Sequence, residues 1–163
     1  MKDLLAYLRV LANPNDEISI RRIINVPKRG IGDRALDYVD LYAQSNGFSF
    51  WQGLHRCSEI SDMPTRAAAS VHQFLSMVAA LGVLVEAKVR PSVIIEAVLE
   101  QSGLLSELTS SKDPQDEVRV ENLQELVAVS MEYEETPFDE LGEDQEISLA
   151  GFLEQVSLVA DSD

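Results

Sequence analysis

Between Val26 and Arg34 the chain reads Val-Pro-Lys-Arg-Gly-Ile-Gly-Asp-Arg, which places cations and two glycines in one short turn. That combination suits a phosphate backbone. Glycine admits positive φ and close approach, so the amides from Gly30 to Gly32 can point at a phosphate oxygen. The start of a following helix adds partial positive charge at the same place. Lys28, Arg29 and Arg34 supply full charges, while Ile31 turns inward between the glycines and anchors the turn. Lys28, Arg29, Gly30, Ile31, Gly32 and Arg34 are therefore the residues expected to form an anion site. Asp33 opposes it, because a carboxylate capping the next helix competes with an anion for the same amides. A bare Gly-x-Gly is equally at home as a plain connection between helices, so the surroundings must decide.

The charge distribution separates this turn from the rest of the chain. The 163 residues hold 13 Lys+Arg against 28 Asp+Glu, a net charge of -15. From Ile18 to Arg34, however, five cations (Arg21, Arg22, Lys28, Arg29, Arg34) face one carboxylate, Asp33. The later part is the opposite: from Glu107 to Asp163 there are 17 acidic and 2 basic residues. Such a surface repels a polyanion, and it either stays solvated or meets a basic partner.

Other chemistries find little support. The sequence contains no Gly-x-x-x-x-Gly-Lys-Ser/Thr phosphate loop, so hydrolysis of ATP by this chain is not expected. His55 and His72 lack companions at metal-ligand spacing. Cys57 has His55 two residues away, on a different face if the segment is helical, so a nucleophile with its base is not expected. As a single cysteine it cannot close an intramolecular disulfide; it reads as a packed thiol or, if exposed, as a link between two copies. The acid-rich stretch from Glu132 to Glu146 lacks the Asp/Asn and glycine positions of an EF-hand loop. Tyr42, Phe50 and Trp51 are candidates for stacking on bases, although their helical spacing suits core packing better. The longest apolar run, Phe74 to Val85, is shorter than the ~20 residues that span a bilayer, so no membrane contact and a cytoplasmic setting are expected. No catalytic residue, metal ligand or cofactor site is expected in the chain.

Helices must position the turn. Apolar residues recur at three and four nearly everywhere and never alternate for long, which predicts an all-α, compact multi-helix domain. Its size suits one domain, burying roughly 70% of the surface of the unfolded chain. Leu4, Leu5, Leu8 and Leu11 stripe a first helix that stops before Asn13-Pro14. A second runs from about Glu17 to Asn25. Asp33 caps a third, bearing Leu36, Val39 and Ala43, which ends near Asn46-Gly47. Ser49 caps a short fourth. The longest begins near Pro64 and, apolar on most faces, is expected to be the central buried helix. Pro91 opens a helix that Gly103 closes. Asp113-Pro114 opens another with Val120, Leu123, Val127 and Met131 inward, a loop runs from Thr136 to Glu146, and Ser148 restarts helix toward Val159.

Two resemblances sharpen the functional expectation. Ile23, Val26, Pro27, Gly30-Ile31-Gly32, Ala35 and Val39 resemble a helix-hairpin-helix, a motif that grips the DNA backbone without reading bases; Lys28 and Arg29 lengthen its usual proline-to-glycine junction. On a larger scale, Lys2-Asp3-Leu4-Leu5-Ala6-Tyr7-Leu8-Arg9 with Asn13-Pro14, then Arg22 to Pro27 through Gly30 to Leu36, then Arg119 to Leu126, and finally Phe152-Leu153-Glu154-Gln155-Val156 to Asp161 resemble in order the 2B subdomain of UvrD/PcrA/Rep-type superfamily 1 DNA helicases. The resemblance covers essentially the whole chain. It implies a single 2B-like subdomain over residues 1–163, excised from an insertion in the second RecA-like motor domain, with 1–14 and 148–163 near the junctions and the ends close together. It also implies a parent that moves 3′ to 5′ on DNA using ATP and Mg2+, with duplex DNA and the parent's motor domains as this piece's partners. The alternative is an acidic helical module that docks a protein partner through its later half.

Overall fold

The computed structural model describes the backbone of residues 1–137 and 146–162, with side chains described as far as Val156. The described residues are helical, without strands: α1 (Lys2–Ala12), α2 (Glu17–Ile23), α3 (Asp33–Asn46), α4 (Phe50–His55), a 3-10 turn (Cys57–Glu59), α5 (Thr65–Glu86), α6 (Pro91–Ser102), α7 (Leu104–Ser110), α8 (Pro114–Glu134) and α9 (Leu149–Ser162). The all-α expectation is met.

Most boundaries follow from local chemistry. Asp16 caps α2 by accepting from the amide of Ser19. Ser49 and Gln52 form a reciprocal capping box at the start of α4. Pro91 occupies the first turn of α6, and Asp113 accepts from Gln115 ahead of Pro114. Gly47 (φ 70°) and Gly103 (φ 85°) end α3 and α6 in the left-handed conformation that glycine adopts at little cost. Gly103 also starts α7, a helix that the spacing of apolar residues does not announce.

The centre of the molecule is α1 and α6, rather than α5. Seven of the eleven residues of α1 are buried, and this helix packs on α2, α5, α6 and α9. Helix α6 packs on α1, α5, α7, α8 and α9. Helix α5 buries only a stripe (Ala67, Val71, Phe74, Leu75, Val78, Leu81) against its neighbours, leaving Ala79, Ala80 and Val83 exposed. By length and composition α5 as a whole is apolar enough to cross a membrane, a property it shares with core helices. Helix α8 is rotated from its expected register: Leu123, Leu126, Ser130 and Tyr133 face inward, and Met131 is 47% exposed. The inward stripe is set by the phenol of Tyr133, which packs on Phe152 and accepts from the amide of Ser148 at the start of α9.

Helices α1 and α9 pack together, with Phe152 and Leu153 buried. The expected closeness of the ends at Lys2 and Val159 falls outside the described side chains.

Candidate nucleic-acid interface

The turn between α2 and α3 is built on Asn25. Its Oδ1 accepts from the amides of Arg29 (2.7 Å) and Ile31 (3.3 Å), so one side chain folds six residues of backbone around itself. The Val26–Pro27 bond is cis. Gly30 has φ 81°, where a side chain is strained, and Gly32 lies at φ -82°, ψ 176° as the N-cap of α3. A Cβ on either glycine would meet no atom within 4 Å, so both face open space. Ile31, 1% exposed, inserts between them into the core beside Ile23, Ile24 and Ala35.

These facts modify the expected site in two ways. The amide of Ile31 is already used by Asn25, which leaves the Gly30 and Gly32 amides, with the opening amides of α3, without an acceptor among the described residues. The side chain of Ile31 is buried and anchors the turn. Asp33 is not the cap: Gly32 holds that position with no side-chain hydrogen bond, and Asp33 is the first helical residue. Its carboxylate therefore does not occupy the amides at the start of α3.

The cations divide into three groups. Lys28 and Arg34 are exposed and make no ion pair among the described residues. Arg21 pairs with Asp40 and Glu17 and lies 4.0 Å over the ring of Phe50, and Arg22 pairs with Asp3 at 2.9 Å. Exposed pairs of this kind are worth about 0–1 kcal/mol and can open, yet while closed they cancel two of the five charges in the basic island. Arg29 turns inward. Its guanidinium donates to the carbonyls of Ile23 (2.9 Å), Ile24 (3.3 Å), Val26 (3.0 Å) and Ser102 (3.3 Å), and to the hydroxyl of Tyr7. Both terminal nitrogens of Arg29, expected among the phosphate ligands, thus donate inside the protein. Tyr7, buried in α1, donates in turn to the carbonyl of Val26, and burial chiefly pushes its phenol pKa up.

The remaining candidates lie elsewhere. Cys57 is fully buried, so it is the packed thiol and not a link between copies, and burial raises its pKa. The histidine near it is His72, whose Nε2 lies 3.7 Å from Sγ, and not His55. His55 instead stacks edge-on with half-buried Trp51. Phe50 is buried beneath Arg21, and the hydroxyl of Tyr42 hydrogen-bonds Glu59. Among the described residues, no group of three or more His, Cys, Asp or Glu gathers to hold a metal ion.

In the acidic half, Glu134 accepts from the amide of Ser92 (2.7 Å), satisfying a donor at the start of α6. Glu146 pairs with Lys88 at 3.1 Å, and Asp116 pairs with Arg119. The hydrogen bonds from Ser111 and Arg119 lower the pKa of Asp116. Asp139, Glu140, Glu143 and Asp144 lie outside the described residues.

The sequence that folds this way is shared with known proteins. The family model for the UvrD-like helicase C-terminal domain matches residues 1–63, a span that contains the whole turn. All of the chain aligns with 22% of the ATP-dependent DNA helicase UvrD1 of Mycobacterium leprae at 41% identity. The UvrD1 of Mycobacterium tuberculosis is also 41% identical over the same shares. The ATP-dependent DNA helicase PcrA of Staphylococcus epidermidis is 38% identical over 100% of the chain and 21% of the helicase. The chain therefore spans about a fifth of the length of these relatives.

Proposed function

We propose, from the premise that this chain is homologous to part of the UvrD1 and PcrA helicases, that it is a 2B-like regulatory subdomain which contacts duplex DNA through the turn at residues 26–34. The observation carrying this reading is the pair of exposed glycines at the uncapped start of α3, flanked by Lys28 and Arg34, two cations that pair with no carboxylate among the described residues. Backbone amides without an internal acceptor and two charges would hold a phosphate without touching a base edge, which suits a motor that must pass every sequence. The contact residues on this reading are Lys28, Gly30, Gly32 and Arg34, with Ile31 anchoring them from below. The chemistry belongs to the parent: ATP and Mg2+ would bind its motor domains, and this piece would hold the duplex ahead of them and dock against them as it swivels.

Two free cations on an acidic body predict weak binding by the chain alone, ~10⁻⁴ M or weaker at physiological salt. Titration of a fluorescent duplex with the wild type and a Lys28→Glu/Arg34→Glu variant tests the reading. The variant is expected to lose binding, and equal binding by both would overturn it.

A second reading has its own observation. Val93 and Met131, both exposed, lie in a shallow cleft of about 390 Å³ with Glu96, Glu134 and Glu135. Two apolar side chains beside three carboxylates, with Arg90 as the one cation of the lining, suit a basic, partly apolar protein segment. Met131→Glu would then abolish capture of such a partner while leaving duplex binding unchanged.

A further inference from the structure

We infer that Arg29 is the positioning residue of the turn, a strut that fixes how Lys28, Gly30 and Gly32 are presented; its bearing on DNA rests on the grip proposed above. The carbonyls it binds are not a random set. Those of Ile23, Ile24 and Val26 belong to the exit of α2, and that of Ser102 is at the last residue of α6. Helix C-termini leave carbonyls unsatisfied and carry partial negative charge, and here two such ends converge on one guanidinium. The aromatic rings of Phe74 and Tyr7 lie 5.3 Å and 5.8 Å from its central carbon, completing a partly desolvated cage. The end of α6 is close by on another count, since a Cβ on Gly103 would lie 3.7 Å from the ring of Pro27.

Arg29 thus ties the turn to α1 through Tyr7 and to the α6–α7 corner through Ser102. Two terminal nitrogens of one planar, permanently charged group meet this acceptor set from two sides; a lysine ammonium carries the charge but has three donors around one point. The inference therefore separates geometry from charge at a single residue. Replacing Arg29 by lysine keeps the net charge and removes the strut.

The test combines hydrogen exchange with the salt dependence of duplex binding. For Arg29→Lys the expected result is faster exchange at the amides of residues 25–32, with protection in α5 and α8 retained. Its duplex affinity should fall about tenfold with the slope of log K against log salt unchanged, whereas Lys28→Gln and Arg34→Gln should each lower that slope by about 0.9. Wild-type exchange and affinity in Arg29→Lys, together with a slope lower by about 0.9 in Arg29→Gln, would make Arg29 a phosphate ligand and overturn the inference. Should Arg29→Lys unfold, Tyr7→Phe keeps the ring and every charge while removing one member of the cage. It is expected to speed exchange in the turn without altering the slope, and unchanged exchange in that variant counts against the strut. If instead the turn loosens in Arg29→Lys while Lys28→Gln and Arg34→Gln leave the slope unchanged, the strut stands and the DNA grip lies elsewhere.

Discussion

At the scale of single residues, Ile31 and Tyr7 show that the turn between α2 and α3 is held from beneath. Ile31 is a fully buried aliphatic side chain between two exposed glycines, so Ile31→Ala should cost about 2–5 kcal/mol in urea unfolding, against less than about 0.5 kcal/mol for Lys28→Ala. Tyr7 predicts a pH effect whose sign is fixed by its environment. Burial raises its pKa above the usual 10.0, so its contribution is fully present below about pH 10 and is lost as the pH rises through the higher folded value. Tyr42 is raised as well, through its hydrogen bond to Glu59, and titrates in the same alkaline window. Stability measured by denaturant from pH 8 upward should therefore fall more steeply in Tyr42→Phe, which retains Tyr7, than in the Tyr7→Phe/Tyr42→Phe double variant; matching curves would remove Tyr7 from the account. The pairing of Tyr7 with Arg29 was not legible in the sequence. Arg29 looked like one more cation in a basic run, because the acceptors that turn it inward come from α1, α2 and α6 at once, and pairing across 73 positions leaves no local mark. Ile31 was legible, since an aliphatic residue between glycines has only the core to bury against.

At the scale of elements, the two glycines separate backbone strain from ligand approach. Gly30 has positive φ, so alanine there should cost about 1–2 kcal/mol whether or not DNA is present. Gly32 has an ordinary φ and open space around it, and alanine at this N-cap should cost no more than about 1 kcal/mol. Its added methyl would nevertheless stand where a phosphate must approach. Thermal unfolding and duplex titration of Gly32→Ala should therefore diverge, with stability nearly kept and binding weakened; retained binding would show that the phosphate does not come this close. The boundaries of α2, α4, α6 and α8 were readable because each is signalled within four residues by Asp16, Ser49 with Gln52, Pro91 and Asp113-Pro114. The start of α3 was misread by one residue, since aspartate is the better cap in isolation but Asn25 has already drawn the turn tight enough to leave Gly32 there. The seven residues of α7 are too few to show a period, and the register of α8 depends on Tyr133 meeting Phe152, well beyond its own end.

At the scale of the molecule, charge is segregated along the chain: residues 1–106 hold eleven cations and eleven carboxylates, so the whole net charge of -15 resides in residues 107–163. The first turn of α8 reaches a cleft of about 550 Å³ that Asp116 and Arg119 share with Arg22 and Val26, which brings the acidic helix toward the base of the turn. Glu117, Glu121 and Glu125, all exposed, repeat every four residues along one face of α8. They repel one another as well as any duplex near the turn. Replacing all three by glutamine should consequently raise duplex affinity severalfold at low salt while leaving the helical fold intact. The gain should vanish at 1 M salt, where the Debye length is only about 3 Å. A gain that persists at high salt would mean that the glutamines make new contacts, and no gain at any salt would place the duplex on a face beyond the reach of α8. If the acidic helix instead holds a basic protein partner, the same variant loses that partner while its DNA affinity rises, so one protein distinguishes repulsion of DNA from attraction of a partner.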